Sequence, residues 1–266
     1  MVRELSVLQK KLSNYKSIAI ITARGGSKRI PKKNIKEFCG KPIIAYSIKA
    51  AIDSKIFDEV MVSTDSKEIA EIAKKYGASV PFMRSEELSG DNATTDDTLL
   101  EVLNEYKTMG KEFTYMCCIY PTAPFVTPQK LKSAMTIMQE KNPEQIVPMV
   151  SYSFPPQRSN YIDENGYAQY VFPESKMTRS QDLDKWYHDA GQFYVYNVKK
   201  FFKCNGDCTE IIPFIVPEME VQDIDNVSDW KIAEIKYMIL NETRQEMLNI
   251  GCLLYTSDAA DDRISV

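Results

Sequence analysis

Apolar residues along the chain fall into two alternating patterns, short continuous runs and positions at helical spacing. The run at 18–22 predicts a buried strand, and Ile44, Ile48 and Ala51 repeat along a helix that we expect to begin at Pro42. The alternation then continues to about residue 151. It predicts strands in EVMVST, near Val80 to Met83, in FTYMCCIY and in QIVPMVS, and helices in DSKEIAEIAKKYGA, over 96–107 and over 128–141.

Strands and helices in this alternation predict an α/β fold. Connections between parallel strands are right-handed and give a mostly parallel sheet with helices on both faces. Ligands on such sheets bind beyond the carboxyl ends of the strands. The turns after Ile21, Thr64 and Tyr120 are therefore expected to share one edge, which is the candidate active face.

The pattern changes after Ser151. NYIDENGYAQYVF predicts a β-hairpin around ENG, and aromatic residues become dense. We interpret 151–188 as an arm inserted into the domain. The wound pattern resumes with QFYVYNV, IIPFIV and MEVQDID, and a final helix is predicted from about Val227 to Leu248.

The two ends stand apart from this pattern. In the N-terminal extension, 1–14, Leu5, Leu8 and Leu12 lie on one side of a possible helix. The segment CLLYTSDAADDRISV breaks the last helical pattern and belongs to no element. We expect 251–266 to be a tail that is foreign to the protein or disordered, so the domain itself is predicted to span 15–250.

Composition limits the classes of partner. The 266 residues carry a net charge of −4, whereas general nucleic-acid binding requires a broad basic face. The apolar runs are shorter than the roughly 18 residues that span a bilayer, and the N-terminus lacks the apolar region of a signal peptide. We therefore expect a cytoplasmic protein that binds neither nucleic acid nor membrane.

The cysteines do not predict a metal site. Cys117 and Cys118 lie in an apolar strand, where cysteine behaves as a small hydrophobic residue. Cys204 and Cys208 lack the second pair, or the histidines, that a zinc site needs. His188 is the single histidine of the chain, which excludes a histidine-rich metal site.

Positive charge is concentrated directly after the first strand. In the stretch that begins ARGGSKRIPKKNI, six of the thirteen residues from Arg24 to Lys36 are lysine or arginine, and none is acidic. A glycine-rich turn lets main-chain N–H groups approach an oxyanion, and Arg24 and Lys28 add charge there. The turn matches neither the Walker A nor the dinucleotide motif. It favours a triphosphate ligand, with a solvated basic loop as the alternative.

The segment EVQDIDNVSDW is a candidate metal site. Asp223 and Asp225 are separated by one residue, so their carboxylates point to the same side of an extended chain. Two such groups suit Mg²⁺, which also binds substrate phosphate and water. Asp225 can instead cap the helix that starts near Val227.

Two further stretches are more ambiguous. The loop after Arg84, SEELSGDNATTDD, can hydrogen-bond a nucleobase or serve as a polar connection to the next helix. In TRSQDLDKWYHDAGQFY, Arg179 can pair with a substrate carboxylate and Gly191 allows a ligand to approach closely. His188 can act as a base or as a structural hydrogen-bonding residue.

The chain resembles the sugar-acid cytidylyltransferases, the CMP-sialic acid synthetase family, in five motifs that follow one another along the sequence. They are ARGGSKRIPKKNI, VSTDSKEIAEIAKKYGA, R-x-x-E-L at Arg84, PTAPF and D-I-D. The resemblance covers about Ile18 to Leu248. Two details are similar to the branch of the family that uses pseudaminic acid. One is Tyr120, at a position where sialic acid enzymes usually have Gln, and the other is the segment HDAGQFY. SGDNATTDD departs from the base loop of that branch, and the extension at 1–14 has no counterpart.

This resemblance implies a Rossmann-like three-layer nucleotidyltransferase fold with a mostly parallel sheet. It also implies CTP as donor, a requirement for Mg²⁺, and a homodimer whose inserted arm reaches over the partner's active site. The implied reaction is attack of the anomeric hydroxyl of a nonulosonic acid on the α-phosphorus of CTP, with release of pyrophosphate. Mg²⁺ would lower the pKa of the attacking hydroxyl.

The resemblance also implies roles for individual residues. Those for catalysis are Arg24, Lys28, Lys33 and Asp225, and the metal ligands are Asp223 and Asp225. Those for nucleotide binding are Ala23, Arg24, Gly25, Gly26, Ser27, Lys28, Asn34, Arg84, Ala93 and Thr95. Those for the sugar acid are Tyr120, Arg179, Tyr187, Gln192 and Phe193.

Three rival functions stay open. The acceptor can be sialic, legionaminic or 3-deoxy-octulosonic acid instead of pseudaminic acid. A glycosyltransferase can also use a D-x-D metal site, although the triphosphate-ready basic turn disfavours that reading. A nucleotide-binding module without turnover would have no need of both aspartates and the cations.

Overall fold

The structure is a computed structural model that describes residues 15–90 and 93–242. Three predictions lie outside these residues: the helix at 1–14, the end of the final helix beyond 242, and the tail at 251–266. Every helix among the described residues is too short or too polar to span a bilayer.

Eleven strands and six helices make up the described part of the chain. The strands are β1 (Ser17–Thr22), β2 (Glu37–Phe38), β3 (Lys41–Pro42), β4 (Glu59–Ser63), β5 (Tyr115–Ile119), β6 (Gln145–Ser151), β7 (Asn160–Ile162), β8 (Ala168–Tyr170), β9 (Tyr187–Asp189), β10 (Phe193–Asn197) and β11 (Ile211–Ile215). The helices are α1 (Ile44–Ser54), α2 (Lys67–Lys75), α3 (Thr95–Thr108), α4 (Pro128–Lys141), α5 (Val198–Cys204) and α6, of which 227–242 is described.

A seven-stranded sheet in the order β11–β6–β10–β5–β1–β4 carries the fold, with β9 also paired to β6. Strand β1 is parallel to β4 and β5, and β11 is parallel to β6. Strand β10 runs antiparallel between β5 and β6. The predicted α/β fold with a mostly parallel sheet is therefore confirmed, and β10 is the reversal that the apolar pattern does not reveal.

Both faces of the sheet are covered, which makes the fold three-layered. Alternate residues of β1 enter different cores, because Ala19 and Ile21 pack on one face and Ile18 and Ile20 on the other. A strand covered on both faces has a continuous apolar sequence, as seen here. Cys117 and Cys118 are fully buried on opposite faces of β5, as predicted for small hydrophobic residues.

Side-chain caps define where several helices begin. Ser66 accepts a hydrogen bond from the Ile69 N–H at the start of α2, and Gly77, at φ +95°, follows its end. Helix α3 begins with a capping box between Thr94 and Asp97. The predicted helix at 128–141 has the bounds found in the structure.

Some predicted elements are wrong. Residues 80–83 are irregular, because the pairing with β4 is limited to a single bridge between Met61 and Ser79. MEVQDID forms a 3-10 turn at Glu218–Glu220 followed by extended chain. Pro42 belongs to the short β2–β3 hairpin, so α1 begins two residues later.

The inserted segment contains the predicted hairpin. Strands β7 and β8 pair with each other around Gly166, which has a φ of +84°. Tyr161, Ile162 and Tyr167 on this hairpin are more than half exposed, at 55%, 68% and 69%. The arm therefore presents apolar side chains to the surface of the single chain, and β9 returns the chain to the central sheet.

Candidate active site

A cleft of about 640 Å³ opens at the carboxyl edge of β1, β4 and β5, the edge predicted for the active face. Its walls come from the basic turn after β1, the segment that leads into α3, and the turn after β5. The lining residues are Thr22, Arg24, Gly26, Ser27, Lys28, Arg29, Ile30, Lys33, Asn34, Arg84, Leu88, Gly90, Ala93, Thr94, Thr95, Thr98, Tyr120, Pro121 and Thr122.

The glycine turn is held against the next strand and helix. The Ala23 N–H donates to Ser63 O at 2.9 Å, which extends the pairing of β1 with β4. The Gly25 N–H donates to Asp65 Oδ1 at 2.7 Å, and a Cβ on Gly25 would lie 3.2 Å from the Ser66 Cβ. A side chain at position 25 would therefore crowd Ser66, and Gly26 and Ser27 follow Gly25 into the cleft. Ala23, which is buried, and Gly25, which is exposed, do not line the cleft.

Arg24 and Asn34 brace the two ends of the basic turn. Arg24 Nη1 donates to Gly90 O at 3.1 Å across the cleft. Asn34 is buried, and its Nδ2 donates to Arg24 O at 2.8 Å. Asn34 therefore positions the main chain at Arg24, while Lys28 lies on the cleft wall.

Lys33 connects the basic turn to the D-I-D segment. Its Nζ donates to Ile224 O at 2.7 Å, and the Ile224 side chain is buried beside Trp230. Burial lowers the pKa of Lys33, and the charges of Asp225 and Asp223 oppose that shift. Both aspartates thus act on a cation that lines the cleft.

Asp225 is held by a second cation and does not cap α6. Arg29 Nη2 lies 2.8 Å from Asp225 Oδ1. The cap is Asn226, whose Oδ1 accepts from the N–H groups of Ser228 and Asp229. Of the two alternatives for Asp225, the structure therefore disfavours the helix cap. The Asp225 carboxylate thus contacts Arg29, which lines the cleft, and Asp223 is exposed.

Arg84 lies at the base of the cleft and is almost completely buried. Its Nε donates to Ser63 Oγ at 3.0 Å and its Nη2 donates to Ser63 O at 2.8 Å. Burial lowers the pKa of Arg84. Arg84 therefore fixes the carboxyl end of β4, and Ala93 and Thr95 form the neighbouring wall.

Tyr120 is the one residue of the predicted sugar-binding group that lines the cleft. Its ring packs edge-on against that of Tyr194, with ring centroids 5.4 Å apart, and burial raises the pKa of Tyr120. Tyr194 in turn donates to both carboxylate oxygens of Asp189. The turn at Gly191, with a φ of +61°, donates its N–H to the same carboxylate and so fixes this chain of polar groups.

The other residues of that group do not line the cleft of the single chain. Phe193 is part of the core, and Gln192 is buried with its Nε2 donating to Glu220 O. Tyr187 lies on β9 and Arg179 on the arm, and both are exposed. The apolar run of β10 has the same sequence pattern as any buried strand. The sequence therefore could not show which residues in and beside β10 belong to the core and which line the cleft.

His188 lies outside the cleft. It is exposed on β9, its ring packs 4.7 Å from that of Tyr152, and its Nδ1 is 2.9 Å from Asp189 O. These contacts favour the structural alternative for this histidine over the base.

Sequence reasoning missed several lining residues. Arg29 belongs to the cluster of positive charge after β1, but only the structure shows that it pairs with Asp225. Thr22 ends β1 and Thr122 follows β5, and a polar residue at the carboxyl end of a buried strand was a usable signal for both.

Comparisons with known proteins identify the family of the chain. Residues 18–211 match the family model described as cytidylyltransferase. The pseudaminic acid cytidylyltransferase of Campylobacter jejuni subsp. jejuni is 39% identical over 235 residues, which cover 86% of this chain and 99% of that protein. The CMP-N,N'-diacetyllegionaminic acid synthase of Legionella pneumophila subsp. pneumophila is 35% identical, over 85% of this chain and 97% of that protein.

A solved structure shares the fold. CMP:2-keto-3-deoxy-manno-octonic acid synthetase complexed with CTP superposes with a TM-score of 0.60, over 85% of this chain and 99% of that chain. Its sequence identity is 17%, so this likeness concerns the architecture alone.

Proposed function

Because the chain belongs to the cytidylyltransferase family, we propose that it transfers CMP from CTP to the anomeric hydroxyl of a nonulosonic acid, with release of pyrophosphate. The observation that carries the proposal is the cleft in which Lys33 joins the basic glycine turn to the D-I-D segment. Pseudaminic acid is the proposed acceptor, since a relative named for it is 39% identical over nearly its whole length.

The basic turn is suited to the triphosphate of CTP. Gly26 and Ser27 bring main chain to the cleft wall, and Arg24, Lys28 and Lys33 add positive charge on the same side. Phosphoryl transfer depends on in-line positioning and on neutralising the phosphate oxygens, with little need for a covalent intermediate. These three cations are therefore proposed as the catalytic groups.

The wall formed by the segment before α3 is the proposed cytidine site. Arg84, Ala93 and Thr95 contribute to it, and Thr94 and Thr98 add hydroxyl groups there. Tyr120 is proposed to contact the sugar acid, because it lines the cleft from the end of β5.

Asp223 and Asp225 are proposed to hold Mg²⁺, and their chemistry fits that ion. Carboxylate oxygens are the ligands that Mg²⁺ takes from proteins, together with substrate phosphate and water. The buried Ile224 side chain anchors the segment between them, while one oxygen of Asp225 is engaged by Arg29. When bound, the ion would supply Lewis-acid activation of the attacking hydroxyl. Arg29 pairs with the Asp225 carboxylate, and Lys33 holds the main chain between the two aspartates through Ile224 O.

We further propose a homodimer in which the inserted arm, 151–188, reaches over the active site of the partner. Two observations support this: apolar side chains are exposed on the β7–β8 hairpin, and Arg179 and Tyr187 lie away from the cleft of their own chain. An exchanged arm would bring such residues to the sugar acid of the other subunit. We also propose that the reaction takes place in the cytoplasm.

The test is a kinetic comparison of acceptors. The purified protein with CTP and Mg²⁺ should release pyrophosphate with pseudaminic acid at a higher kcat/KM than with legionaminic, sialic or 3-deoxy-octulosonic acid. A higher kcat/KM with another of these acids would support the proposed reaction but assign that acid as the acceptor. Binding of CTP without pyrophosphate release from any acid would contradict the proposal, as would release of a nucleoside diphosphate from a nucleotide sugar.

A further inference from the structure

A cluster of metal-ligating side chains lies outside the cleft, between the end of α5 and the start of β6. Glu144 directly precedes β6, Cys204 ends α5, and Cys208 follows four residues later. A carboxylate oxygen of Glu144 and the Sγ atoms of both cysteines all lie within 4.8 Å of one another. Neither the proposed reaction nor the D-I-D segment uses these groups.

The chain between the cysteines is shaped to bring them together. Asn205 and Gly206 have positive φ angles of 50° and 85°, which turn the chain back at the end of α5. As a result, the two Sγ atoms lie 3.0 Å apart and both cysteines are half-buried.

Glu144 is fixed in the same place by the main chain that follows Cys208. Its Oε2 accepts hydrogen bonds from the N–H groups of Thr209 and Glu210, at 2.8 and 3.0 Å. These bonds hold the carboxylate beside the two sulfur atoms. The three potential ligands therefore come from two separate segments, 60 residues apart or more in sequence, that the fold brings together.

We propose that Glu144, Cys204 and Cys208 bind a Zn²⁺-class divalent cation. Two thiolates and one carboxylate match zinc, which takes sulfur and oxygen ligands in tetrahedral geometry, with water in the fourth position. Tetrahedral zinc with Zn–S bonds of about 2.3 Å keeps two sulfurs about 3.8 Å apart, so the thiols need to separate by less than about 1 Å. Thiolates disfavour Mg²⁺, so the two metal sites select different ions.

The site would stabilise the wall of the cleft without taking part in the reaction. Gly206 packs directly on Asp96 in the first turn of α3, where a Cβ on Gly206 would lie 2.8 Å from the Asp96 Cβ. Asp96 is adjacent to Thr95, which lines the cleft. A cation that fixes the turn at Gly206 would therefore fix the surface on which the start of α3 rests.

Cobalt(II) provides the test, because thiolate ligation of Co²⁺ gives a sulfur-to-metal charge-transfer absorption. Titration of the reduced full-length protein should give this absorption at equimolar Co²⁺, and added Zn²⁺ should displace it. Co²⁺ or Zn²⁺ should also raise the melting temperature. Both effects should be lost in Cys204→Ser and Cys208→Ser and weakened in Glu144→Gln, whereas Cys39→Ser, which alters an exposed cysteine elsewhere, should retain them.

A measurement on the wild-type chain covers the case in which a variant does not fold. Zn²⁺ should slow alkylation of Cys204 and Cys208, followed by peptide mass spectrometry, and leave that of Cys39 unchanged. The proposal is overturned if the charge-transfer absorption is absent, if it persists in Cys208→Ser, or if alkylation is the same with and without Zn²⁺. The proposal is also overturned if Cys204 and Cys208 are recovered as a disulfide and the protein binds no metal after that disulfide is reduced.

Discussion

Lys33 Nζ donates a hydrogen bond to the main-chain oxygen of Ile224, 191 residues later, over 2.7 Å. This bond ties the end of the basic turn to the segment that carries both aspartates. Because the ammonium is half-buried and senses the charges of Asp225 and Asp223, the cations of the turn and the two carboxylates form one electrostatic unit. The unit lies at the carboxyl edge of the sheet, where the proposed reaction takes place.

Replacing Lys33 by methionine keeps most of the side-chain volume and removes the charge. We expect Lys33→Met to lower kcat by about 10²–10³-fold, the usual cost of losing one preorganised group that stabilises negative charge in a transition state. Pyrophosphate release at saturating CTP measures the effect.

Lys32→Met is the matched control for this prediction. Lys32 is the adjacent lysine, but its Nζ pairs with Glu68 on the outer side of the turn and does not line the cleft. Its substitution should leave kcat within about twofold of the wild type, since exposed ion pairs contribute little. Equal losses in both variants would mean that the turn needs positive charge in general, and that Lys33 has no special role.

Metal removal should abolish turnover. Treatment with EDTA is expected to stop pyrophosphate release, and added Mg²⁺ should restore it. Asp223→Asn and Asp225→Asn should each raise the Mg²⁺ concentration for half-maximal rate by about tenfold or more, because even the loss of a group that only supports a ligand costs that much. Asp53→Asn, an exposed aspartate on α1, should not change it. A rate that is insensitive to EDTA would contradict the metal assignment.

The sequence was sufficient for the architecture because buried strands and amphipathic helices leave regular patterns. The bounds of α4 and β6 were predicted to the residue, and the turns after β1 and β5 were correctly placed at one edge. Strand direction leaves no such pattern, so the antiparallel course of β10 was not predicted.

Side-chain placement within the site was less predictable, for reasons visible at particular residues. Phe193 and Gln192 follow Gly191 directly, yet the pleat of β10 and the hydrogen bond to Glu220 O turn them into the interior. The cap of α6 could not be assigned because Asp225 and Asn226 are both good capping residues, and only the structure shows that Asn226 takes that role. Glu144 joins Cys204 and Cys208 through a long-range contact that cysteine spacing does not encode.

The proposed dimer predicts that apolar residues on the arm hold the subunits together. Replacing Tyr161, Ile162 and Tyr167 by serine should convert a dimer into a monomer, measured by light scattering during size-exclusion chromatography. Met109→Ser changes an exposed apolar residue outside the arm and should leave the mass unchanged. A wild-type protein that is monomeric at high concentration would rule out arm exchange.

Two adjacent aspartates at the start of α3 should affect stability with opposite signs. Hydrogen bonds from the Thr94 hydroxyl and N–H lower the pKa of Asp97 below its usual 3.8. Its charged form is therefore favoured in the folded state, and its contribution to stability is present above pH 3.8 and lost as the pH falls through the lower folded value. Asp97→Asn should thus lower the urea midpoint at neutral pH, and the difference from the wild type should shrink in acid.

Asp96 is expected to have the opposite effect on stability, because its pKa is shifted in the opposite direction. Burial raises its pKa, and the nearby charges of Asp97 and Asp207 add to the shift. The charged form is penalised in the folded state at neutral pH, and the penalty disappears as the pH falls through the raised folded pKa toward 3.8. Asp96→Asn should therefore raise the urea midpoint at neutral pH, with the gain lost in acid. If both variants shifted the urea midpoint in the same direction, the capping box at Asp97 and the burial of Asp96 would not explain the stability effects of these two carboxylates.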